Sequence, residues 1–125
     1  MPRFDPATVS ELNRVGLLSE LPGETLTKLA SRMERQEIAP GEPVLVEGEA
    51  GNHFYCVLSG VLAVSNQGGL GPRRVLRPGS YFGEVALTMD VPRTASVTAL
   101  TAVTVASCDR ETFDEFVRPL FADSE

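Results

Sequence analysis

The stretch Tyr81-Phe82-Gly83-Glu84-Val85-Ala86-Leu87-Thr88-Met89-Asp90-Val91-Pro92-Arg93-Thr94-Ala95-Ser96-Val97 decides how this chain reads. Gly83 permits a close backbone approach or a positive φ. Glu84 to Leu87 are expected to form one helical turn, whose free N–H groups point at whatever lies before it. Nine residues after Glu84, Arg93 adds a permanent cation with a planar fork of donors suited to phosphate. A carboxylate so near an anion site repels the ligand unless it has its own task, and accepting a hydrogen bond from a sugar hydroxyl is such a task. Amides, arginine and carboxylate together suit a phosphorylated ribose.

Outward from this stretch, the chain from Gln36 carries short β-rich runs between Gly and Pro punctuation. The runs are Pro43 to Glu47, Phe54 to Leu58, Val61 to Val64, Arg73 to Arg77, and one long run from Ala95 to Ala106. Turn residues lie between them, at Pro40-Gly41, Gly48 to Gly51, Ser59-Gly60, Gly68 to Pro72 and Pro78-Gly79. Many short strands at this spacing predict a sandwich or barrel. Before them, Leu26, Leu29, Ala30 and Met33 recur at helical spacing, with Pro22 in the entry turn. A shorter helix is expected over Asp5 to Val15, with Asp5 as cap and Pro6 in its first position. After the strands, Asp109 announces a helix carrying Phe113, Phe116 and Val117 on one face, which Pro119 breaks or ends. Helices, strands, then helix define an α+β class with an antiparallel β-roll.

The 125 residues, 42% of them hydrophobic, suffice for one domain with its own core. A net charge of −6 argues against nucleic acid as the partner. The polar start Met1-Pro2-Arg3-Phe4-Asp5 is unlike a signal peptide, and no apolar run is long enough to span a membrane, so a cytoplasmic location is expected. Cys56 and Cys108 form no CxxC pattern. Buried free thiols are their ordinary reading, and the sequence leaves a disulfide open. His53 is the sole histidine, too few for a metal site or an acid–base pair, so no metal and no catalytic residue is expected. Gly68-Gly69-Leu70-Gly71 lacks the Gly-Lys-Ser/Thr ending of a phosphate loop and reads as a hairpin turn.

The runs Phe82-Gly83-Glu84-x-Ala86-Leu87 and Pro92-Arg93-x-Ala95-x-Val97, at their observed separation, resemble the phosphate-binding cassette of cyclic nucleotide-binding domains. The likeness extends from about Leu17 to Val117 through Gly41-Glu42, Glu47-Gly48-Glu49, Gly51, Phe54-Tyr55, Ser59-Gly60 and Leu76-Arg77-Pro78-Gly79. It implies a jelly-roll-like β-roll of about eight strands, flanked by an N-terminal helical bundle and a C-terminal helix. The expected layout is a single domain over 1–125. Helices occupy 1–35, the roll 36–108 with the cassette at 82–95, and the last helix 109–121.

The resemblance implies a regulatory module in signal transduction that binds cAMP or cGMP as a regulatory ligand, without a cofactor and without chemistry on the ligand. The implied ligand-binding residues are Phe82, Gly83, Glu84, Val85, Ala86, Arg93, Thr94 and Ala95. Glu84 is expected on the ribose 2′-hydroxyl, and it could also pair with Arg93. The amides of Gly83, Val85 and Ala86 and the Arg93 fork are expected on the phosphate. Alanine in place of Thr94 often accompanies cAMP preference in the family and threonine cGMP, so the hydroxyl shifts the odds between the two bases without fixing them. Leu87 is expected to relay cassette movement to Phe113 and Phe116. Asp90 stands where some members carry glycine. Members that close a lid over the base do so with a further long helix; the few residues after Pro119 imply a lid that is missing, supplied by another chain, or left out with an excised domain. The partner implied is an effector domain or protein outside this chain. The alternative reading is a structural or protein-interaction domain of the same fold that binds no nucleotide. Members of that kind usually lack the glutamate or the arginine, and both are present here.

Overall fold

Alternation in two of the strands sets the layers of the molecule. In strand β3 (His53–Ser59), Phe54 and Cys56 point to one side and Tyr55 and Val57 to the other. In β8 (Val103–Asp109), Ala106 and Cys108 share the first side, and Val103 and Val105 the second. Both faces are covered, so β8 is buried along most of its length, Ser107 included. The computed structural model describes residues 5–65 and 74–122. Within them the chain also forms β1 (Glu34–Ile38), β2 (Pro43–Leu45), β4 (Leu62–Ser65), β5 (Arg74–Leu76), β6 (Tyr81–Phe82) and β7 (Ser96–Ala99). These strands make two four-stranded antiparallel sheets, ordered β1-β8-β3-β6 and β2-β7-β4-β5. The expected α+β roll is therefore the observed fold. The expected turn at Gly68 to Gly71 lies outside the described residues.

Two cores follow. Between the sheets lie Leu45, Val57, Leu62, Leu76, Phe82, Val97, Ala99, Val103 and Val105. On the outer face of the β3–β8 sheet, Phe54, Cys56, Ala106 and Cys108 meet the helices through Leu12, Leu18, Leu29, Met33, Phe113 and Val117. Both cysteines are free and buried. Burial pushes the Cys56 thiol well up and the Cys108 thiol to about 12, so both stay protonated at neutral pH.

Helix α2 (Gly23–Arg32) follows Pro22 as expected and buries Leu26, Leu29 and Ala30. Four local readings differ from expectation. Helix α1 is Val9–Leu12 rather than a helix from Asp5, and Pro6 instead bridges to Glu34. Its cap is Thr8, which accepts from the Glu11 amide at 3.2 Å while its own amide donates to the Glu11 carboxylate at 3.0 Å. Strand β1 begins at Glu34, ahead of the expected change of texture. It is an edge strand whose one partner among the strands is β8, and its charged residues discourage further strand pairing while hiding the alternation.

The run from Ala95 to Ala106 is two strands in different sheets, not one. The turn between them, Leu100 to Ala102, has no Gly or Pro of its own. Gly60, at φ 86°, supplies the room instead, because a Cβ there would run into the Ala102 carbonyl. Finally, Pro119 does not end the last helix. Asp109 caps α4 (Arg110–Thr112) by accepting from the Thr112 amide at 2.9 Å, a π-helical turn (Phe113–Val117) follows, and α5 (Arg118–Ala122) contains the proline. The π turn takes up the misfit that a proline, lacking an N–H, imposes on the turn before it.

Candidate functional site

Strand β6 ends at Phe82, whose ring stacks on Tyr55 at 4.9 Å between centroids. Gly83 then adopts φ 92° and starts helix α3 (Glu84–Met89). Glycine is required there twice over. The positive φ disfavours a side chain, and a Cβ would lie 3.0 Å from the His53 carbonyl and 3.2 Å from an Arg93 nitrogen. The first amides of α3 have no partner within the helix and open towards a pocket.

Arg93 reaches this place from the other side. Its backbone is pinned to the Val46–Glu49 turn: its N–H donates to the Glu49 carbonyl at 2.8 Å, and its carbonyl accepts from Gly48 at 2.9 Å. The side chain is only 7% exposed. Nη1 donates to the Gly83 carbonyl at 3.0 Å and Nη2 to the His53 carbonyl at 2.9 Å. Gly51 forms the back wall, since a Cβ there would lie 2.5 Å from the guanidinium carbon. Of the five N–H donors of an arginine, these two bonds use two and leave three without a protein partner. Burial lowers the Arg93 pKa, with Tyr55 and Glu84 partly offsetting it. The guanidinium still carries its charge.

All eight ligand residues expected from the sequence line a single open pocket of about 480 Å³ including its mouth: Phe82, Gly83, Glu84, Val85, Ala86, Arg93, Thr94 and Ala95. The pocket adds Leu45, Val64, Arg74 and Val97, none of them among the ligand residues expected from the sequence, although Val97 closes the quoted motif. These come from four strands of one sheet, and only their inward parity, unknown before pairing is known, could have revealed them. Gly51 and the His53 carbonyl were missed as well. Gly51 read as a turn glycine, and a backbone carbonyl leaves no trace in sequence. The possible Glu84–Arg93 ion pair is not formed, because the Arg93 donors go to backbone carbonyls instead.

The three expected relay residues are brought together. Leu87 and Phe113 are fully buried, Phe116 nearly so, and all belong to the core under the β3–β8 sheet. The Phe113 ring lies 5.3 Å from that of Phe54. Among the described residues, no group of three His, Cys, Asp or Glu side chains is placed to hold a metal, and no helix is long and apolar enough to cross a membrane.

Fold and pocket together define a β-roll with a short helix at the end of strand β6 and a pocket-lining arginine. The sequence profile of the cyclic nucleotide-binding domain matches residues 35–119, and the chain belongs to that family. It is 42% identical over 109 residues to the cAMP-dependent protein kinase regulatory subunit of Yarrowia lipolytica, covering 87% of this chain and 29% of the relative. The chain thus spans less than a third of that curated relative. Among solved structures, the regulatory domain of Toxoplasma gondii PKA with cAMP superposes with a TM-score of 0.81 at 28% identity, covering 90% of this chain and 44% of that one. The regulatory subunit of a cAMP-independent protein kinase A from Trypanosoma brucei superposes at 0.85 and 25% identity, covering 91% and 42%.

Proposed function

We propose that this chain is a regulatory module that captures a cyclic nucleotide without altering it and passes the event to an effector. The observation that carries this reading is Arg93: buried, fixed by two carbonyls, with donors to spare, and lining a pocket beside the first residues of α3. The cyclic phosphate sits on those donors and on the first amides of α3. Glu84, at the start of α3, accepts from the ribose hydroxyl. The base lies on the strand side, against Leu45, Val64 and Val97.

Arg74 and Thr94 also line that pocket. Both offer donors, and guanine presents two acceptors, O6 and N7, where adenine presents an amino donor beside N7. This favours cGMP at the rim, whereas the curated relatives are named for cAMP. A single Thr94 bond is worth ~0.5–1.5 kcal/mol.

Isothermal titration with cAMP and cGMP, on wild type and Arg93→Ala, tests the reading. Saturable binding is expected, weakened by ~2–5 kcal/mol in the variant, or ~30- to ~4000-fold. The ratio of the two wild-type affinities reads the base preference. Absence of heat with either nucleotide, on folded protein freed of ligand, contradicts the proposal and favours a protein-interaction domain of the same fold.

A further inference from the structure

Helix α3 is six residues and about 9 Å long, with its first amides at the pocket and its last carbonyls at the C-terminal helix. The Ala86 carbonyl accepts from the amides of Asp90 and Val91. The Leu87 and Thr88 carbonyls are left without a backbone partner, as the last carbonyls of a helix are. Leu87 is fully buried, so water cannot serve its carbonyl.

A side chain from outside α3 serves it instead. Arg118 Nη2 donates to the Leu87 carbonyl at 2.6 Å, and its Nη1 lies 3.4 Å from the Thr88 carbonyl. Its Nε is fixed by Asp114 at 2.9 Å, and its guanidinium carbon lies 5.9 Å from the centre of the Phe113 ring. Arg110 adds a longer contact of 3.4 Å to the same Leu87 carbonyl. Arg118 directly follows the π turn. The extra residue of such a turn rotates everything downstream by about 100°, which aims Arg118 at α3.

We propose that Arg118 is the positioning residue that ties α3 to the C-terminal helix, so that the helix moves with the cassette. This tether is polar and separate from the packing of Leu87. The inference rests on the pocket being the nucleotide site. Movement of α3 towards a bound phosphate must carry Arg118, and with it the segment Phe113–Ala122, or break the shortest of these bonds. Asp114 holds the fork in place for this task.

Arg118→Met keeps the apolar stem over Phe113 and removes every donor. Two readouts decide the matter. In the nucleotide-free protein, amide exchange across Leu87 to Val91 and across Phe113 to Val117 is expected to speed up together by about tenfold, with exchange in β3 and β8 unchanged. On titration with cAMP or cGMP followed by NMR, shifts at Gly83 to Ala86 are expected to persist while those at Phe113 to Val117 fall to less than half of wild type. Arg118→Lys, which keeps one donor for Leu87, is expected to restore part of the coupling. Unchanged exchange in α3, or full-sized shifts in the C-terminal helix of the Met variant, overturns the tether. The exchange arm needs no ligand. Should wild type bind neither nucleotide, the proposed function fails and the exchange result still decides whether Arg118 holds the two helices together.

Discussion

The two ends of helix α3 are built on opposite principles. Each ends in a left-handed residue, Gly83 at φ 92° before the helix and Asp90 at φ 54° after it. At the pocket end everything is fixed by backbone. Gly83 touches the His53 carbonyl and the Arg93 fork, and the Arg93 donors rest on main-chain oxygens. At the far end the holding is done by long side chains, Arg118 and Arg110, and the Asp90 carboxylate is 90% exposed. On the proposed function, the difference separates two jobs. A ligand site needs donors that do not rearrange on binding, whereas an element that transmits movement needs bonds that can travel with a partner.

The comparison can be broken by substitutions at either end. The largest effect is expected for Gly83→Ala. It forces a side chain into the left-handed region, at ~1–2 kcal/mol, and also displaces the His53–Arg93 contact. Urea denaturation should show the loss of stability, and titration calorimetry a loss of nucleotide affinity beside it. Gly51→Ala should separate those two effects. Its Cβ meets the Arg93 side chain first, at 2.5 Å, and not backbone, so the fork shifts while the fold stays. Affinity is expected to fall about tenfold, a part of what Arg93 supplies, with the denaturation midpoint nearly unchanged. Asp90→Gly gives the smallest effect and the opposite sign. It relieves an unfavourable φ and gives up only a 3.6 Å contact from Arg110 to an exposed carboxylate, so stability should rise by about 0.5–1 kcal/mol in the same assay.

These sites also show what the sequence could carry. Arg93, Glu84 and Gly83 were legible because their chemistry and spacing are unusual, and Asp90 stood out for the same reason. Gly51 was not, because a glycine that makes room for a distant arginine looks like any turn glycine. Gly60 concealed the break between β7 and β8 in the same way, by serving a turn 40 residues along the chain. Asp5-Pro6 read as the helix start, and the Thr8–Glu11 capping box was missed; the bridge from Pro6 to Glu34 takes Pro6 out of the helix. Arg118 drew no notice because its value depends on the π turn that aims it, and hydrogen-bond registers of that kind leave no periodicity to read.

The central claim is that α3 acts as one body, taking the phosphate at one end and moving the C-terminal helix at the other. A nucleotide titration of the wild-type protein, followed by NMR at Ala86 and at Phe116 in the same samples, tests it most directly. The account predicts that both positions shift with one common midpoint. A shift at Ala86 with Phe116 unmoved at saturation would contradict it.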